Sequence, residues 1–106
     1  VVVAERAEMA ENVWTRFMGL MGRRGLEPGA GLVILPNNSI HMFFMRFAID
    51  VLHVSKDGTV LRILHSIKPW RVGPIVKKCH YTVELPPGTA KTTGTVEGDQ
   101  IELVSK

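Results

Sequence analysis

Apolar residues along this chain come in short blocks separated by Gly, Pro, Asn and Asp, which is the rhythm of short strands joined by turns. Val1 to Val3 are β-branched and suit an opening strand. One stretch breaks the rhythm. Ala10, Trp14, Phe17, Met18 and Met21 recur at helical spacing and predict an amphipathic helix. Asn12 can cap its start, Gly22 can stop it, and Arg23 and Arg24 suit the negative end of its dipole. Gly19 weakens a helix interior by about 1 kcal/mol relative to Ala, so the stripe, Trp14 included, is expected to pack into a core.

Gly31 to Leu35 reads as a buried strand ended by Pro36, and Asn37-Asn38 as a polar bend. From Ser39 to Met45, His41, Phe43 and Met45 would share one face and Ile40, Met42 and Phe44 the other. Both faces are largely apolar, which predicts a central strand covered on both sides. Ile49–Ser55 and Thr59–His65 then form a hairpin about Lys56-Asp57-Gly58. A two-residue Asp57-Gly58 turn sets Asp50 opposite His65; a type I turn over Ser55–Gly58 with a glycine bulge sets Ile49 there instead, and the bulged form is preferred. Ser66 to Val76 reads as a surface loop, Cys79 to Leu85 as a strand, Thr89 to Gly94 as one helical turn and Ile101 to Val104 as a last strand. The chain is therefore expected to be mainly β, a sandwich or partly closed barrel of roughly six or seven short strands with one short N-terminal helix.

At 106 residues the chain is one domain, residues 1–106. Hydrophobic residues at 45% and charged residues at 22% argue against disorder. No apolar run approaches the roughly 20 residues that span a bilayer. The sequence starts at Val1, so upstream residues are taken as trimmed or omitted. That leaves a soluble domain that is either cytoplasmic or exported after removal of an N-terminal signal. The net charge of +3 comes from scattered basic residues (Arg23 and Arg24, Lys68 and Arg71, Lys77 and Lys78), which disfavours nucleic acid as a partner. Cys79 is the single cysteine; it excludes an internal disulfide and a Cys-rich zinc site, and reads as an inert thiol.

His41, Arg46 and Asp50 carry the candidate chemistry. A His and a carboxylate can act as base and orienter, and an Arg can hold an anion bidentately. Ser39 is the nearest nucleophile, without a Gly-x-Ser-x-Gly elbow. Alternatively, Asp50 and Arg46 close a backbone kink by bonding amides or each other. His41, His53 and His65 are evenly spaced, but no His-Glu-x-x-His occurs, so no metal and no cofactor is expected. His53 and His80 read as ordinary surface or half-buried residues. Trp70 and Arg71 are either exposed anchors or a lid on the core with Arg71 stacked on the indole.

Several segments together resemble one known family. They are Thr-Arg-Phe-Met-Gly-Leu-Met-Gly-Arg-Arg-Gly-Leu at 15–26, Ser39 to Asp50, the Asp57-Gly58 turn, Pro69-Trp70-Arg71, Val83-Glu84-Leu85-Pro86-Pro87-Gly88 and Gly98-Asp99. In this order they resemble the bacterial and archaeal domain of unknown function 192 over nearly the whole chain. Ala48 departs from the proline usual before the Ile-Asp pair, and Asn37 stands near where many such sequences carry cysteine. The resemblance implies a compact β-sandwich of jelly-roll-like topology and brings no activity, cofactor or catalytic residue.

The resulting expectation is a monomeric, non-enzymatic binding or accessory module with a groove near His41, Arg46, Asp50, Trp70 and Arg71. Its ligand would be a small polar molecule, a glycan or a partner protein. The alternative is a small hydrolase or lyase using His41 and Asp50 with Arg46 as anion holder. Weak nucleic-acid binding is the lesser alternative.

Overall fold

A computed structural model of the protein describes residues 2–104, leaving aside the side chains of Val13 and Phe17. Five strands, β1 (Arg6–Ala10), β2 (Ala30–Ile34), β3 (Ile49–Ser55), β4 (Val60–Ile67) and β5 (Cys79–Leu85), form one sheet in the order β1-β2-β5-β3-β4. β1 and β2 are parallel and the other neighbours antiparallel. Two short helices, α1 (Val13–Met18) and α2 (Thr89–Thr93), complete the elements. The mainly β expectation holds. Among the described residues loops and helices, not a second sheet, cover the two faces, so no sandwich or jelly-roll layer is seen.

β3 lies between β5 and β4, and six of its seven residues are buried. Its alternation feeds two cores. Ile49 and Val51 join Leu32, Ile34 and Met42 on one face of the sheet. Leu52 and Val54 join Val33, Val83 and Leu85 on the other. The first core is roofed by loop residues Ile40, Met42 and Met45, the second by Ala90 of α2 with Val3, Ala4 and Ile101. Each fully buried aliphatic side chain contributes about 1.5–3 kcal/mol.

Four expectations are corrected. Val2 and Val3 are outside any strand, while Val1 lies outside the described residues; the first strand is β1, mostly exposed along its length. Asn12 does cap α1, its Oδ1 accepting the Thr15 N–H at 2.8 Å, but the helix ends at Gly19 (φ 47), whose N–H bonds Thr15 O. The glycine is thus a terminator, Ala10 belongs to β1, Met21 lies past the helix and Trp14 is exposed. The Phe17 side chain falls outside the described set. Ser39–Met45 is a loop, in which His41 forms an isolated bridge with Val72. Ile101–Val104 is not a strand either; an isolated bridge just before it joins Thr59 to Gln100.

The hairpin turn takes the bulged form. Gly58 (φ 88) donates to Ser55 O at 3.0 Å and Ser55 donates to Thr59 O at 2.9 Å. The register does not persist, however. Val54 faces Val60, a shift then sets His53 against Arg62 and Val51 against Leu64, and a second shift sets Ile49 against Ile67. Ile49 therefore meets Ile67 rather than His65. The second shift has a visible cause in Asp50. Its buried carboxylate accepts the N–H groups of Ser66 (2.8 Å), Gly88 (3.1 Å) and Ala90 (2.9 Å). One side chain thereby clamps the irregular end of β4 to the start of α2.

Two substitutions test this frame. Asp50→Asn replaces an acceptor by an amide N–H2 facing donors, and should lower unfolding stability in urea by about 3 kcal/mol; a loss below about 1 kcal/mol would show that the clamp is dispensable. Gly58→Ala adds a Cβ that would meet Ile101 O at 2.5 Å at a left-handed φ. A loss of about 2 kcal/mol or more is expected, and an unchanged urea midpoint would place the turn elsewhere.

Candidate functional site

β5 reads Tyr81-Thr82-Val83-Glu84-Leu85, with Tyr81, Val83 and Leu85 facing the second core. Thr82 and Glu84 therefore face the first. Glu84 sits between Leu32 of β2 and Val51 of β3, and only 5% of its surface is exposed. Such positions are costly for a carboxylate unless it is paired. Among the described residues no hydrogen bond or ion pair reaches it. Burial pushes its pKa up to about 7, with the Arg23 guanidinium pulling part of the way back. Arg23 itself is engaged by Glu8 at 2.9 Å.

Above Glu84 lies a cleft of about 400 Å³, formed by the end of α1, the bend after β2 and the loop through Met45. The turn ending α1 stands close over the acid, since a Cβ on Gly19 would lie 4.0 Å from Glu84 Oε1. Met18, Ile34, Ile40 and Met45 provide apolar walls. Arg16, Asn37, Ser39 and His41 provide the polar groups. Asn37 Nδ2 donates to Thr82 Oγ1 at 2.9 Å, tying the bend to β5. His41 Nδ1 accepts the Phe43 N–H at 3.3 Å, which leaves Nε2 as the N–H donor of the neutral ring. Arg16 donates to Asn12 O and Pro36 O, both at 3.4 Å, and pairs with no carboxylate among the described residues.

His53, expected at or near the surface, is instead fully buried, and neither ring nitrogen has a hydrogen-bond partner. It lies opposite Thr82 on the same face as Glu84. Burial lowers its pKa; the Arg62 backbone favours the charged ring without reaching hydrogen-bond geometry, and the Arg62 charge disfavours it. The ring is neutral at neutral pH. His80 is half-buried, as expected. Cys79 is half-buried too, its thiol raised by burial and donating to Tyr81 O at 3.3 Å.

The structure separates the residues singled out in the sequence. Asp50 faces the second core and spends its carboxylate on backbone amides, as in the structural alternative, so it does not meet His41 or His65. His41 lines the cleft, Arg46 is exposed, and His65 is exposed on β4. Trp70 is not a lid: its ring is exposed and lies against Phe43 (6.1 Å) and Phe44 (5.1 Å). Arg71 is exposed, and its carbonyl accepts the Met42 N–H at 2.7 Å. His41 thus joins two groupings, the Glu84 cleft and, through its 5.2 Å contact with Phe43, the aromatic cluster. Glu84, Arg16 and Asn37 were missed as site residues. The one sequence signal for Glu84 is an acid flanked by Val83 and Leu85 in a strand, inside a segment that the family resemblance includes.

Glu84 makes a testable contribution to stability. Between its unfolded value of 4.5 and about 7 the native state holds the proton more tightly than the unfolded chain. Stability therefore falls as pH rises through that window, by about 3 kcal/mol once it is passed. Glu84→Gln removes this dependence. The variant should exceed the parent by about 1–3 kcal/mol at pH 8, the advantage fading toward pH 4.5, in urea unfolding across that range. Parent and variant curves that stay parallel would show that the carboxyl is not desolvated.

A family model described as Uncharacterized ACR (DUF192) matches residues 2–103. A UPF0127 protein of Pyrococcus abyssi is 34% identical over 106 residues, covering 94% of this chain and 87% of its own. Another from Pyrococcus furiosus is 36% identical over 99 residues, covering 88% and 82%. A crystal structure of a Novosphingobium aromaticivorans protein of unknown function superposes with a TM-score of 0.83 at 24% identity, over 92% of this chain and 74% of that one. A Sinorhizobium meliloti protein described as a candidate transcription regulator does so with a TM-score of 0.80 at 28% identity, over 91% and 79%.

Proposed function

This chain belongs to the DUF192 family of uncharacterised conserved proteins, and we propose from its own geometry that it is a binding module whose cleft takes a small amphiphilic molecule bearing a protonated amine. The observation that carries this reading is Glu84, nine-tenths buried, unpartnered, and open to the cleft. A carboxyl in this state has no protein donor among the described residues and only the narrow opening of the cleft to hydrate it. An ammonium group restores both charge balance and hydrogen bonds, so the energy lost in burying the acid is recovered on binding. Apolar walls suit a short hydrocarbon body. Arg16 and the His41 Nε2–H favour an anionic or acceptor group at the outer end of the ligand.

Binding is favoured over the hydrolase or lyase alternative because Asp50, that mechanism's orienting acid, lies on the other face of the sheet with its oxygens occupied. Among the described residues no group of three or more His, Cys, Asp or Glu is disposed to hold a metal ion.

Thermal shift at pH 7.5 with n-hexylamine, n-hexanol and hexanoate separates the contributions. Hexylamine should raise the melting temperature in a saturable way, by mass action. Hexanol and hexanoate should act at least tenfold more weakly, and Glu84→Gln should abolish the amine's advantage. Equal shifts from amine and alcohol, or an amine effect that survives Glu84→Gln, would overturn the proposal.

A further inference from the structure

The loops roofing the first core have an outer surface of unusual composition. Phe44 and Trp70 are 62% and 57% exposed and touch one another, and Phe43 joins them. Val72 and Ile75, on the segment that carries Trp70, are 67% and 75% exposed. Contiguous exposed apolar groups of this size mark interaction surfaces. Two of the rings are also held there against backbone preference, with φ 61 at Phe44 and φ 64 at Trp70. Hydrogen bonds fix that conformation: Trp70 N–H to Met42 O at 2.8 Å and Gly22 N–H to Phe44 O at 3.1 Å. The fold spends strain on displaying them.

The charge on the two segments that carry this patch has one sign. Residues 36–49 and 65–83 contain no Asp or Glu, yet carry Arg46, Lys68, Arg71, Lys77 and Lys78, all exposed. The two segments are laced together, with Met42, Gly73 and Val76 donating to Arg71, Ile40 and Asn38 across them. The cations flank the aromatic cluster directly, Lys68 and Arg71 beside Trp70 and Arg46 two residues after Phe44.

We propose that this face docks on an anionic lipid surface, the aromatic and aliphatic side chains entering the headgroup boundary and the cations meeting lipid phosphates. Aromatic rings favour that boundary, and basic side chains beside an inserted apolar patch add attraction to anionic lipid. Single-stranded nucleic acid also combines with cations and aromatic rings, but two features favour lipid. Val72 and Ile75 offer no face for a base to stack on, and the rings are tilted by 39° and 59° rather than stepped in parallel. Val72 also lines the Glu84 cleft, but the inference stands on Phe43, Phe44, Trp70 and the flanking cations and does not depend on what fills that cleft.

The test uses the whole chain with vesicles of phosphatidylcholine, alone or mixed with phosphatidylglycerol. Trp14→Phe leaves Trp70 as the single reporter, with a circular dichroism melt to verify the fold. The protein should sediment with the mixed vesicles, shift Trp70 emission to the blue, and bind at least tenfold more weakly to phosphatidylcholine alone or in about 0.5 M salt. Phe44→Asn, which suits the left-handed backbone, and Arg71→Glu should each weaken binding at least tenfold without lowering the melting temperature. Absence of sedimentation at low salt, equal binding to neutral and anionic vesicles, or binding unchanged in Phe44→Asn would overturn the proposal. So would binding to a single-stranded oligonucleotide with none to vesicles.

Discussion

The fold turns on one buried carboxylate. Asp50 gathers three backbone N–H groups from the end of β4 and the start of α2, so a single side chain decides where β4 slips register and where the chain turns back after β5. Charge-assisted bonds to a desolvated acid are strong, and losing the acceptor strands three donors at once. The neighbouring strand offers the contrast. Glu84 is buried beside Val51 on the opposite face and has no such donors. The two acids are only one strand apart. One is satisfied from within the protein, and the other has no hydrogen-bond partner among the described residues.

Much of the fold was legible because local chemistry decided it. β2 and β5 end at prolines, the Asn12 cap is a side-chain-to-backbone bond within four residues, and the Gly58 turn needs its positive φ. The register beyond that turn was not legible, because it is set by Asp50 reaching Gly88 and Ala90, far away in sequence. Trp14 misled for a simpler reason. A helix that stops at Gly19 is too short to keep a five-residue stripe on one buried face. The candidate site was the least legible part. His80, Thr82 and Glu84 alternate with Tyr81, Val83 and Leu85, the ordinary signature of a strand with one wet face. Only the loop that lies over that face turns its polar row into a buried one.

His53 and Glu84 share that row and oppose one another in pH dependence. His53 stays neutral in the fold, so the protein loses stability as pH falls through the range where the unfolded imidazole charges. Glu84 acts in the reverse sense, its ionisation drawing on stability as pH rises toward 7. Together they squeeze the stability maximum from both sides. For a domain with a margin of about 5–15 kcal/mol, an unpartnered histidine and an unpartnered acid on one face of the sheet are a substantial burden. Such burdens persist in sites whose groups are needed unpaired, and Glu84, unlike His53, opens to the cleft where a ligand can relieve it.

The loop from Ser39 to Met45 explains why the same segment misled the strand assignment and yet matters most. Apolar residues on both faces of a supposed strand imply protein on both sides. Here Ile40, Met42 and Met45 do face protein, sealing the core that contains Ile34 and Val51. Phe43 and Phe44 are 42% and 62% exposed and face outward. The two-sided pattern therefore belongs to a loop with one side on the core and one side exposed. His41 sits at the junction, lining the cleft while its ring rests on Phe43. Apolar residues are common on protein surfaces, so an apolar pattern on both faces of a segment does not by itself require burial on both.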